Sequence, residues 1–318
     1  MNNINKFQSI IILSMVLIGI LLGQIDIISK YCGHMIMPSL MVMLFLVFIQ
    51  IPIRDITKSF KNIRFTMAVV IINFVWTPIL VYVIGNIFFN DSYQLLIGFV
   101  MLMVTPCTDW YLIFTGIAKG NTALSASILP LNFILQLILL PVYIFLIVGS
   151  SVEINFIELI QSMMISLFIP LILANLFRKI LSIKNIDNKI IEKINSKACD
   201  YQGYFLNIAI ATMFASQGKV LLENPEVLLK LLLPVLLFFV INFIVGQVVG
   251  KVIKLSREDN ISLNLTTLAR NSPIALAIAV SAFPNEPIIA LALIIGPLIE
   301  LPVLFTVAKI LLRSSSEV

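Results

Sequence analysis

The chain has 318 residues, 60% of them hydrophobic and 12% charged, with a mean hydropathy of +1.07. A soluble domain carries about 25% charged residues, so this composition excludes a soluble enzyme, a nucleic-acid binder and a disordered chain. The net charge of +5 fits Lys and Arg gathered in loops on one face of a membrane.

Ten apolar segments follow one another, at roughly 8–27, 35–53, 65–89, 94–118, 121–149, 155–177, 200–218, 227–250, 259–283 and 286–312. None alternates like a strand and each is long enough to cross, so they read as transmembrane helices surrounded by membrane lipid. Lys6 and the apolar run after it read as the first helix, because no small-residue cleavage site follows. The polar stretch 178–200 offers an amphipathic helix with Ile183, Ile186, Ile190, Ile191 and Ile194 on one side. With ten spans, every Lys and Arg except Lys30, Lys219, Lys230 and Arg270 falls on a single side. That bias predicts a multi-pass protein of the cell membrane with both termini cytoplasmic.

The halves 1–150 and 151–318 look like repeats of one transporter unit. Leu140-Pro141-Val142 recurs as Leu301-Pro302-Val303, and the same offset carries Ala118 to Ala279 and Asp109 to Arg270. Five helices are an odd number, so the second copy is inverted. Inverted repeats are a mark of secondary transporters.

Spans four and nine each contain proline beside a polar cluster. The first reads Thr105-Pro106-Cys107-Thr108-Asp109 and the second Arg270-Asn271-Ser272-Pro273. Proline removes a backbone donor and should break each helix. Freed backbone groups survive in a membrane only beside protein or a wet cavity, so paired breaks point to a midplane solute site.

Asp109 and Arg270 are the charges inside these spans. A central charge costs ~2.5–3.5 kcal/mol on insertion scales, which mutual pairing offsets. Asp109 then either alternates between Arg270 and a proton or forms a permanent pair with it. Glu300 in span ten is either a second proton carrier or a polar anchor. The Cys107 thiol suits soft metals and metalloids, or is simply a small residue at a helix contact. Asn73 with Pro78, Asn132 with Gln136, and Asn242 with Gln247 are polar groups that either bridge helices or line the cavity. The three cysteines, Cys32, Cys107 and Cys199, make no disulfide framework. No GxxxxGK[ST] loop, metal-spaced cluster or nucleophile triad is present, so no cofactor, resident metal or catalytic site is expected.

At these residues the chain resembles the bile acid:sodium symporter superfamily, which includes sodium-coupled organic-anion symporters and arsenical-resistance permeases. Thr105-Pro106-Cys107-Thr108 is similar to the permeases' span-four cysteine motif. Asn73 with Pro78 resembles their third span, Asn132 their fifth, Asn271-Ser272-Pro273 their ninth, and Gly296 to Val303 with Glu300 their tenth. The resemblance implies a solute site at Cys107, Thr108, Asn73, Asn132, Asn271 and Ser272, to which the charge and proline arguments add coupling by Asp109, Arg270 and Glu300 and breaks at Pro106 and Pro273. It also implies one group of spans 1, 2, 6 and 7 that rocks against another of spans 3–5 and 8–10.

Two departures shape the expectation. The permeases carry an acid where this chain has Ala275. The symporters' sodium-binding glutamate and glutamine fall on Thr266 and Arg270, and their span-four ligands on Asp109, Tyr111 and Leu112. A guanidinium there repels Na⁺, so the resemblance implies arsenite or metalloid efflux without sodium, with a proton as candidate coupling ion. The alternatives are a sodium-independent organic-anion carrier and a non-transporting sensor or scaffold.

Overall fold

Apolar runs without alternation have one way to satisfy their backbone in a membrane, and the chain is helical accordingly. The computed structural model describes residues 8–50, 62–107, 110–148, 169–181, 188–223 and 225–313. In order these form α1 (Gln8–Leu22), α2 (Asp26–Gln50), α3 (Ile63–Ile71), a π-helical turn (Ile72–Trp76), α4 (Thr77–Phe88), α5 (Tyr93–Met103), α6 (Trp110–Ile117) and α7 (Thr122–Val148). Then come α8 (169–181), α9 (Asn188–Glu223), α10 (Glu226–Val252), α11 (Arg257–Leu268), α12 (Ser272–Ala282) and α13 (Pro287–Arg313). Among the described residues there is no strand, only an isolated antiparallel bridge between Pro106 and Arg270.

Five described stretches are long and apolar enough to cross a membrane: Asp26–Leu46, Ile63–Phe88, Thr122–Ile147, Leu229–Val252 and Pro287–Arg313. Tyr93–Met103 and Ser272–Ala282 are shorter apolar helices. The protein is therefore a multi-pass membrane protein. Part of the expected amphipathic segment lies outside the described residues. From Asn188 onward the chain is one helix to Glu223, so the polar residues there continue directly into the seventh apolar segment.

The helices group into two compact units, each assembled from both halves of the sequence. The first comprises Met1–Pro52, Asn155–Pro225 and Leu276–Ile294. Within it α9 packs along α1 and α2. Glycine permits the approach: a Cβ on Gly19 would lie 2.6 Å from the Ala211 carbonyl oxygen, and one on Gly23 2.5 Å from that of Ala215. Close backbone approach of this kind is how helices associate where lipid removes the hydrophobic drive.

The second unit comprises Ile53–Ile154, Glu226–Ala275 and Ile295–Val318. Leu276–Ile294 thus falls with the first unit, whereas the resemblance groups it with the second. A core of Phe65, Ala68, Val69, Ile72, Ile128 and Leu263 ties α3, the π-turn, α7 and α11 together. The α6–α7 turn is pinned to the start of α11: Asn121 N–H donates to the Glu258 carbonyl at 3.1 Å and Asn121 Nδ2 to Asp259 Oδ1 at 2.9 Å.

The π-turn has a local cause. Pro78 has no N–H for the Phe74 carbonyl four residues back. The Thr77 N–H reaches instead to Ile72, and the Phe74 carbonyl accepts from the Tyr143 hydroxyl of α7 at 2.7 Å.

Candidate functional site

Both prolines interrupt their spans, and each freed carbonyl finds a specific partner. Pro106 leaves the Leu102 carbonyl without a helical donor, and Thr105 Oγ1 supplies one at 3.2 Å while also reaching Met101 at 2.8 Å. Pro273 likewise leaves the Ala269 carbonyl, which accepts the Cys107 N–H at 3.0 Å. The reciprocal bond runs from Asn271 N–H to the Thr105 carbonyl at 2.8 Å. These two bonds make the bridge, so each broken chain completes the other where they cross. Asn271 also caps α12, its Oδ1 accepting from Ile274 N–H at 3.2 Å.

Arg270 stands in this crossing and is 1% exposed. Its guanidinium donates from Nε to the Leu268 carbonyl at 3.0 Å and from Nη1 to the Met103 carbonyl at 2.9 Å. Nη2 donates to the Thr267 carbonyl and to Asn73 Oδ1 at 3.4 Å. The Phe238 ring of α10 lies 4.9 Å from Cζ. Met103 is the last residue of α5, and Thr267 and Leu268 close α11. A helix C-terminus carries about −0.5 charge, and a buried cation there gains up to ~2 kcal/mol. One side chain thus caps two half-helices at once. Its own backbone N–H donates to Glu300 Oε1 at 2.8 Å, and Glu300 is itself buried.

A second layer holds the cage. Trp76 Nε1 donates to Asn242 Oδ1 at 3.1 Å, and Asn242 Nδ2 donates to the same Thr267 carbonyl at 2.9 Å. The π-turn therefore contributes twice, through Asn73 to the guanidinium and through Trp76 to Asn242. π-turns inside helices are often found at functional sites. Gly296 of α13 sits against the crossing, where a Cβ would lie 2.6 Å from Leu102 Cδ1 and 3.0 Å from Ser272 Oγ.

Of the residues singled out in the sequence, Asn73, Pro106, Cys107, Arg270, Asn271, Ser272, Pro273 and Glu300 gather at or beside this crossing. Thr108 and Asp109 lie outside the described residues, and the expected Asp109–Arg270 pair with them. Asn132 is buried on α7 and makes no hydrogen bond to the cage. The backbone carbonyls of Met103, Thr267 and Leu268, together with Phe238 and Trp76, were not legible as site components. Trp76 had one signal: an indole N–H in an apolar run requires an acceptor.

Chemically the crossing offers a fixed positive charge, a buried thiol at Cys107, and unpartnered polar atoms at Asn73 Nδ2, Thr266 Oγ1 and Ser272 Oγ. Among the described residues no group of three His, Cys, Asp or Glu could hold a metal ion.

The model of the Sodium Bile acid symporter family matches residues 37–224. The chain is 22% identical over 329 residues to an arsenical-resistance protein Acr3 of Alkaliphilus metalliredigens, covering 96% of this chain and 91% of that one. It is 24% identical over 272 residues to an arsenical-resistance protein Acr3 of Corynebacterium glutamicum, covering 79% and 70%. It is also 23% identical over 221 residues to an uncharacterized transporter of Synechocystis, covering 67% and 56%.

Proposed function

The chain belongs to the sodium bile acid symporter family and is a secondary membrane transporter; from that premise we propose that it exports arsenite or a related metalloid from the cell without sodium. The observation that carries this reading is the crossing itself, where a buried thiol and a permanent cation share one pair of broken chains. Cys107 is the soft donor for a metalloid. Arg270 supplies, as part of the protein, the positive charge that the half-helix carbonyls would otherwise draw from a dissolved cation. Both relatives named for arsenical resistance support the cargo.

Asn73, Asn271 and Ser272 are the polar groups around that cargo, with Thr108 and Asn132 as further candidates from the sequence. Glu300 and Asp109 are the candidate proton carriers. The Lys and Arg distribution supports ten spans and cytoplasmic termini in the cell membrane, and the recurrence of Leu140-Pro141-Val142 as Leu301-Pro302-Val303 supports inverted repeats at 1–150 and 151–318.

A small organic anion clamped by Arg270 is the weaker reading. A bidentate clamp needs two parallel N–H groups, and four of the five guanidinium N–H groups already reach protein acceptors.

Expression in arsenite-sensitive cells tests the proposal. Wild-type protein raises tolerance, Cys107→Ala at equal abundance does not, and replacing Na⁺ by choline changes nothing. Unchanged tolerance with the wild-type protein rejects the cargo. Loss of export in choline rejects the sodium-free part.

A further inference from the structure

Helix α7 carries a polar line that the crossing does not use. Ser125, Asn132, Gln136 and Tyr143 recur at spacings that place all four within about 20° of a common line along the helix and spread them over ~27 Å, nearly the thickness of a bilayer core. All four are buried, and Asn132 and Gln136 are each 1% exposed. The stripe is not quenched by its neighbours. Ser125 Oγ, both polar atoms of Asn132 and both of Gln136 have no hydrogen-bond partner in the protein.

The elements packed on α7 add to it. They are α5, α6, α11 and the π-turn. From three of these come further buried unpartnered atoms: Thr115 Oγ1 on α6, Thr266 Oγ1 on α11 and Asn73 Nδ2 in the π-turn. An unsatisfied buried polar group costs ~1–3 kcal/mol. Eight of them on α7 and the elements packed against it are not sustainable dry, and no hydrophobic packing requirement selects Asn and Gln there. Against this, Asn207 Oδ1 is the one such atom among the described residues of the first unit.

The ends of the stripe are informative. Beyond Ser125 lies the turn at Asn121, whose Nδ2 donates to the half-buried Asp259. At the far end the Tyr143 hydroxyl donates to Phe74 in the π-turn, one residue from the Asn73 that touches Arg270.

We propose that this face of α7 lines an internal path for small neutral hydroxylated molecules, water or a hydroxylated solute, running from the Asn121 turn to the π-turn beside Arg270. The lining is amide and hydroxyl, each amide both donor and acceptor, with no charge along it, so it suits neutral species over ions. Buried water characteristically makes about three hydrogen bonds to groups of this kind. The path shares Asn73 and Asn132 with the solute site proposed above, but it rests on the unpartnered buried atoms, and its test does not require arsenite as cargo.

Thiol reactivity tests it. In full-length protein with Cys32, Cys107 and Cys199 replaced by serine, Asn132→Cys, Gln136→Cys and Ile138→Cys are reacted with methyl methanethiosulfonate in proteoliposomes. The reagent attacks thiolate, and a thiol ionises only where water reaches it. Ile138 is 62% exposed on the same helix within an apolar span and reports lipid. Reaction at 132 and 136 at least ~10-fold faster than at 138 is expected, since a thiol kept protonated by its apolar surroundings is that much less nucleophilic. Equal rates overturn the path. Boric acid, a neutral trihydroxide, slows the reaction if solute enters and leaves it unchanged if water alone does; either result upholds the path and assigns its occupant. As a check without cysteines, Asn132→Leu and Gln136→Leu leave the thermal midpoint unchanged or lower it. A rise in both would mean the groups sit dry, and would overturn the proposal.

Discussion

Arg178 and Arg270 perform the same local task in different surroundings. Arg178, in the first unit, donates from Nε to the Ile49 carbonyl at 2.9 Å and from Nη2 to Phe48 at 2.7 Å, capping the end of α2. Arg270, in the second, caps α5 and α11 together. The first is half-buried at the end of a long helix and the second is almost wholly enclosed. The difference extends to the units themselves. The first is built from long helices that approach through glycine and alanine. The second contains the interruptions, the π-turn and nearly all the unpartnered buried polar atoms among the described residues. Where backbone stays helical, packing alone suffices. Where it is broken inside a membrane, each freed group needs a named partner.

Removing the enclosed cation is the sharpest way to break this contrast. Arg270→Ala leaves two half-helix ends uncapped and is expected to abolish transport and cost ~3–5 kcal/mol, read as vesicle flux and thermal midpoint. Arg178→Ala is expected to cost about 1.5–3 kcal/mol, the net worth of hydrogen bonding by a charged group, with flux per molecule retained. Equal effects would dissolve the distinction between the two arginines.

Asn242→Ala comes next. It strands the Trp76 N–H and leaves the Thr267 carbonyl with Arg270 as its remaining side-chain donor, at ~1–3 kcal/mol, and lowers flux because the carbonyl that holds Arg270 loses its orientation. Trp76→Phe should cost about 1 kcal/mol. The double variant should cost less than the sum of the two, since both act through one chain of bonds; strict additivity would refute that chain.

In the first unit, Gly23→Ala forces a Cβ onto the Ala215 backbone and should cost ~1–3 kcal/mol through overpacking, with flux falling only as folded protein falls. Gly203→Ala is the smallest effect. Nothing lies within 4 Å of its added Cβ, so a gain of up to ~1 kcal/mol from helix propensity is expected. Destabilisation there would show that the glycine has a role packing does not explain.

Much of the crossing was legible because its causes are local. Pro106 and Pro273 lack a donor whatever surrounds them, and a lone Arg in an apolar run demands compensation. The identity of that compensation was not legible. Sequence reasoning looks for charge to match charge, and so reached for Asp109, which lies outside the described residues. The partners seen at the guanidinium are the Asn73 side chain and the carbonyls of Met103, Thr267 and Leu268, and any residue type carries a carbonyl. The same holds for Tyr143: its hydroxyl was lost among the apolar residues of its span, and its acceptor is a carbonyl freed by a proline on a different helix.

Composition and periodicity by themselves determined that this protein is helical, lies in a membrane, and has its helices broken at two places, because hydropathy and proline act on the chain wherever it goes. Tertiary structure alone decided which carbonyls meet the buried guanidinium, that Trp76 and Asn242 steady one of them, and that the α7 stripe is left without protein partners. Those outcomes depend on which backbone groups come within hydrogen-bond reach of one another, a property of the assembled helices that no residue-by-residue pattern encodes.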